Sequence, residues 1–90
     1  MSRTPDEALR PPYPNSKLRD EEEATLKLRL SIDARGRVTQ VTPVGHADST
    51  FLEAARRHII RAWRYKPATE DGVAVSSTMV ISLSFRLEDA

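Results

Sequence analysis

The chain has 90 residues, 39% of them hydrophobic and 30% charged, which describes one small soluble globule rather than a disordered tail. Fourteen basic against 13 acidic residues leave a net charge of +1, too little for bulk attraction to a polyanion. Cysteine is absent, so disulfides and cysteine zinc sites are excluded, and no apolar run is long enough for a membrane-spanning helix.

Residues 1–11 are polar and read as a linker remnant ahead of a domain covering 12–90. The opening "MSRTPDEALR" lacks the apolar centre of a secretory leader, so the chain reads as a cytosolic protein or as a soluble piece of a longer one. "PPYP" favours an extended entry, with Pro14 suited to the first position of a helix. "NSKLRD" then fits either one or two helical turns anchored by Leu18 or an irregular loop. In "ATLKLRLSI", Ala24, Leu26, Leu28, Leu30 and Ile32 alternate with Thr25, Lys27, Arg29 and Ser31, the pattern of a strand with one buried face. "DARG" places Gly36 at the left-handed position of a hairpin turn. "RVTQVTPV" is the return strand. Its Val38 and Val41 are out of phase, which predicts a bulge, and Pro43 predicts a sheet edge.

The next segment reads as a helix from about Phe51 to Tyr65. Thr50 and Glu53 fit a capping box, with Asp48 and Ser49 upstream. Phe51, Leu52, Ala55, Ile59, Ala62 and Trp63 share one arc, and Glu53, Arg57, Arg61 and Arg64 lie opposite. Lys66 precedes Pro67 and is held out of the helical region. Trp63 on the buried arc offers no stacking platform to a base, and the arginines suit a solvated face and a helix C-terminus. His46 and His58 have no partner at ligand spacing and read as structural or exposed.

"PATEDG" reads as a loop. From Val73 to Phe85 the chain reads as one long, uncharged strand, with Ser77, Met79, Ile81, Leu83, Phe85 and Leu87 on one face. The expected fold is α+β: a two-layer α-β-β-α-β domain with a three-stranded antiparallel sheet of order 2-1-3. One long helix covers one face, and a short helix precedes the sheet. The last strand then forms an edge without lysine, proline or bulge, open to a dimer partner or an added peptide strand unless the N-terminal segment folds back over it. No phosphate loop, nucleophile elbow or convergent carboxylate pair is present, so an enzyme is not expected.

"PPYP", "ATLKLRLSIDARGRV", "FLEAARRHIIRAWRYKPA" and "DGVAVSSTMVISLSFRL" together resemble the C-terminal domain of TonB, the energy transducer of Gram-negative bacteria. Ala24 stands where that family usually has glycine, and Lys17 where it often has alanine. The resemblance implies the soluble, periplasmic domain of a protein anchored in the inner membrane. Its missing N-terminal part would engage ExbB and ExbD. Its partners would be outer-membrane transporters for siderophores, haem or cobalamin, whose TonB box adds as a strand to the last strand. By position Val80, Ile81, Ser82, Leu83, Ser84, Phe85, Arg86 and Leu87 would carry the main-chain pairing, with Tyr13 and Pro14 near the partner. No cofactor, metal or nucleic acid is implied, and the isolated domain would be a monomer or a weak dimer through the last strand. A TolA-like transducer domain and a basic-helix module for peptidoglycan or nucleic acid are the alternative readings.

Overall fold

A computed structural model describes residues 8–90, so most of the segment read as a linker lies outside the described residues. The elements run α1 (Asn15–Arg19), β1 (Ala24–Ile32), β2 (Val38–Pro43), α2 (Ser49–Ala62), β3 (Ala68–Glu70), β4 (Val73–Val75) and β5 (Ser77–Phe85), followed by a 3-10 turn at Leu87–Asp89. β2, β1 and β5 form an antiparallel sheet in that order, so the final strand lies beside the first as expected.

The period-two pattern of β1 puts Leu26, Leu28, Leu30 and Ile32 inward, each no more than 5% exposed. α2 covers them with Phe51, Ala55 and Ile59, whose four-residue spacing makes one row along the helix. Val38, Val41, Trp63, Tyr65 and Phe85 complete the core. The expected bulge is present. Ser31 faces Gln40 and Ile32 faces Val38, so Thr39 is the extra residue and both valines turn inward.

The helix departs from expectation at both ends. Its N-cap is Asp48 rather than Thr50. The Asp48 carboxylate accepts from the Thr50 and Phe51 amides at 2.9 and 3.0 Å, and Glu53 turns instead to Arg56. An aspartate one step upstream can cap the first turn directly, so no capping box is needed. The helix ends at Ala62, and Trp63 is already extended at ψ 140°. Trp63 is nevertheless only 6% exposed.

What ends the helix is a contact with the first hairpin. The Tyr65 amide donates to the Gly36 carbonyl at 2.8 Å, and Arg37 pairs with Arg64 in an isolated antiparallel bridge. Gly36 has φ +85°, and a Cβ there would stand 1.9 Å from the Tyr65 carbonyl oxygen. Only glycine fits both the conformation and the approach. The turn is further fixed by Asp33, whose carboxylate accepts from the Arg35 and Arg37 amides at 2.8 and 3.0 Å.

Two further expectations are corrected. "PATEDG" is not a loop: β3 pairs with β4 around Asp71 (φ +52°) and Gly72 (φ +81°), a two-residue turn whose left-handed pair matches strand twist. Consequently residues 73–85 are two strands, because 73–75 pair with β3 while pairing with β1 begins only at Ser77. The short helix α1 does form, with Pro14 as its N-cap rather than its first residue. Leu18 does not anchor it and is 44% exposed. Lys17 does so instead, bonding Asp48 at 3.0 Å and Glu22 at 3.3 Å with its ammonium 5.4 Å from the Phe51 ring centroid. The Phe51 amide, followed by the Lys17 ammonium, holds the Asp48 carboxyl below its usual range, and the bond to Asp48 raises Lys17.

Gly36→Ala should cost about 3 kcal/mol or more, since left-handed strain adds to a backbone clash. Gly45→Ala, at φ +80° in open space, should cost only about 1–2 kcal/mol. Urea unfolding of the two variants measures the difference, and equal losses would show that the Tyr65 approach does not matter.

Asp48→Ala should cost about 1 kcal/mol at neutral pH through the lost cap. Because the folded pKa of Asp48 lies below its unfolded value, its contribution is present above the ordinary carboxylate pKa and lost as pH falls through the folded one. Stability of Asp48→Asn should therefore fall less steeply than wild type below about pH 4, in unfolding curves taken across that range. Parallel pH profiles would contradict this.

Candidate functional site

The direction of each main-chain group in β5 follows from one bond in the hairpin. The Val44 amide donates to the Lys27 carbonyl at 2.8 Å, so the odd residues of β1 turn their amides and carbonyls toward β2. The even residues therefore turn toward β5, where Leu26, Leu28, Leu30 and Ile32 face Leu83, Ile81, Met79 and Ser77. Those β5 residues are satisfied by β1. Thr78, Val80, Ser82 and Ser84 point their amides and carbonyls the other way, to the outside of the sheet.

Nothing in the described chain meets that row. β5 ends the sheet, and among the described residues no other backbone hydrogen bond reaches 78–84. Of the described N-terminal residues, Arg10–Tyr13 reach only the end of the strand, at Ser84 and Phe85, and none bonds the outward row. Ala8 instead sits at the end of α2, where its carbonyl accepts from Trp63 Nε1 at 3.1 Å and lies 2.7 Å from His58 Nε2. A carbonyl only accepts, so His58 carries its proton on Nε2 and its role there is structural. The opposite edge is closed differently. Pro43 faces Leu28 at a position whose nitrogen points away from β1, so its missing donor costs the ladder nothing.

The residues singled out from the sequence fall into distinct groups. Val80, Ser82 and Ser84 are exposed, with Val80 at 47%, and the Ser84 hydroxyl lies 2.9 Å from that of Thr25 across the ladder. Ile81 and Leu83 are half-buried on the helix side, and Phe85 is buried. Arg86 is exposed just past the strand end. Leu87 opens the 3-10 turn and donates its amide to Glu23 at 2.8 Å, so its donor is already occupied. Thr78, by contrast, has an outward amide that sequence reasoning did not place in the site. Only the register reveals it.

Tyr13 and Pro14 lie at the far end of β5. The Tyr13 ring stands edge-on to Phe51 and Phe85 at 5.9 and 5.7 Å, and its hydroxyl donates to the Glu22 carbonyl. Loss of solvent contact, followed by the charges of Glu23 and Glu22, raises its pKa. Beside it an apolar recess of about 290 Å³ opens between Pro11, Pro12, Tyr13, Leu18 and Phe85. At the start of β5, Met79 is 37% exposed beside a second groove with Tyr65 and Pro67 in its wall. The site is thus a row of free main-chain groups with an apolar recess at its far end and a groove of mixed polar and apolar lining at its start. Among the described residues no cluster of histidine and acidic side chains is placed to hold a metal.

No curated protein matches the chain. The family model for the Gram-negative bacterial TonB protein C-terminal region matches residues 10–87, from the segment that carries Tyr13 through β5 to the turn beyond it. The chain belongs to the TonB C-terminal family.

Proposed function

We propose that this domain works in the periplasm as the receptor-binding end of a TonB-type energy transducer. It captures an extended segment of an outer-membrane transporter, the TonB box, by adding it as a strand to β5, and so couples proton-motive force to uptake of siderophores, haem or cobalamin. ExbB and ExbD engage the same protein through a membrane-anchored part ahead of this domain. The domain itself is a binding module, not an enzyme.

One observation carries this reading: the four outward main-chain positions Thr78, Val80, Ser82 and Ser84 on an unguarded strand. An extended peptide satisfies such a row along its whole length, and alternate side chains then select the partner. The strand is backed by β1 over nine consecutive pairs, so it is already straight and needs no rearrangement to accept a neighbour. The same edge also suits weak self-pairing, which a bound peptide displaces. Nucleic-acid binding through α2 is disfavoured, because Trp63 is buried at the helix end.

A proline scan tests the mechanism. Val80→Pro and Ser82→Pro remove outward donors that have no internal partner, so both should abolish binding of a TonB-box peptide while the domain stays folded. Ile81→Pro and Leu83→Pro remove donors to β1 and should unfold it, a loss of about 3 kcal/mol or more. Circular dichroism and peptide titration by calorimetry read the two effects. Wild-type affinity in folded Val80→Pro and Ser82→Pro would rule the mechanism out.

A further inference from the structure

The positive charge of this chain is concentrated on and just after α2. Residues 51–66 hold five basic side chains and one acidic one, in a chain whose net charge is +1. Arg56 bonds Glu53 and the Val41 carbonyl, each at 3.3 Å, and Arg64 bonds the Trp63 carbonyl at 2.7 Å. Arg57 and Arg61 differ. They lie one turn apart on α2, both exposed, with no hydrogen bond or ion pair among the described residues.

Both arginines face a cleft of about 430 Å³ between α2 and the segment entering α1, walled by Pro12, Tyr13, Asn15 and His58. Among the described residues no carboxylate lines it. Like charges at this helical spacing repel, and an anion lodged between them relieves the repulsion. Two guanidiniums also present paired N–H groups in the fork that matches a carboxylate.

We propose that this cleft is a second docking site, which binds acidic side chains of an extended protein segment. The cleft is suited to one or two aspartate or glutamate side chains rather than to a nucleic-acid backbone. It offers two cations, not a track of them, and no open aromatic face. The Tyr13 ring is packed edge-on between Phe51 and Phe85, and Trp63 is buried. Pro12 and Tyr13 also wall the apolar recess at the end of β5, so the two sites adjoin around one segment. A peptide leaving β5 at Phe85 is carried past Tyr13 toward the arginines. The cleft stands without β5 pairing, whereas its assignment to the same partner rests on the strand-addition reading.

The test follows the arginine Nε–Hε signals of the 90-residue chain by NMR. The probes are acetyl-Glu-Glu-Glu-amide, its glutamine counterpart, inorganic phosphate and a short single-stranded oligonucleotide. The glutamate peptide should move the Arg57 and Arg61 signals, bind about tenfold more tightly than the glutamine peptide, and weaken as salt is raised. Arg57→Gln with Arg61→Gln should abolish the response with the backbone spectrum otherwise unchanged. The Val80 and Ser82 amides should stay still with so short a peptide, which separates this outcome from the fate of the strand-addition reading. The proposal is overturned if no signal moves, if Arg19 and Arg29 move equally, or if the glutamine peptide binds as well. Tighter binding of phosphate or oligonucleotide than of the glutamate peptide overturns it too.

Discussion

Nine consecutive antiparallel pairs hold β5 to β1, and the rest of the domain follows from how those pairs consume hydrogen bonds. Each residue of an antiparallel strand turns its amide and carbonyl to one side, and its neighbour turns them to the other. From Lys27 to Ile32 β1 has a partner on each side, so both of its sets are used there. β5 has one partner, so half of its main-chain groups remain available. An unpaired row of this kind is normally blunted by charge, proline or a bulge. β2, the other edge, carries both Pro43 and the Thr39 bulge. β5 carries none of these devices over Ser77–Phe85.

The remaining packing keeps that row straight and in place. Phe85, the last residue of the ladder, is fixed between Tyr13 and Phe51, with ring centroids 4.8–5.9 Å apart. Tyr13 is in turn positioned by the strap that Lys17 ties to the cap of α2. At the other end of the helix, the Gly36–Tyr65 bond joins the first hairpin to the segment after α2, so the "GRV" and "WRYKP" stretches act as one clamp although 24 residues lie between them. The core is therefore concentrated over β1 and β2, and the start of β5 is left more open, with Met79 37% exposed. Rigidity behind and openness in front is the combination that lets a strand accept a partner without first reorganising.

Much of this was legible in the sequence because it depends on local periodicity. The alternation in β1 fixed the inward face, the misphased valines fixed the bulge, and Gly36 marked the turn. The sheet order followed from antiparallel connectivity. What was missed depends on contacts between distant residues. Nothing near Tyr65 shows that its carbonyl meets Gly36, so the helix appeared to run three residues too far. Lys17 finds Asp48 from 31 positions away, which no local pattern encodes, and Leu18 looked like the better anchor. The β3–β4 hairpin did have a local signal, the Asp-Gly pair, but the strands around it are three residues each and too short for alternation to register. In the candidate site, the segment was evident from its lack of charge, while the outward set, Thr78 included, required the register.

Amide hydrogen exchange along β5 tests the central claim most directly, because it reads each main-chain donor separately. In the free domain at low concentration, Thr78, Val80, Ser82 and Ser84 should exchange quickly while Met79, Ile81 and Leu83 are protected. Saturating TonB-box peptide should slow the first set markedly and leave the second set nearly unchanged. Protection of the outward amides in the free monomer, or slowing that falls elsewhere when peptide binds, would contradict the account.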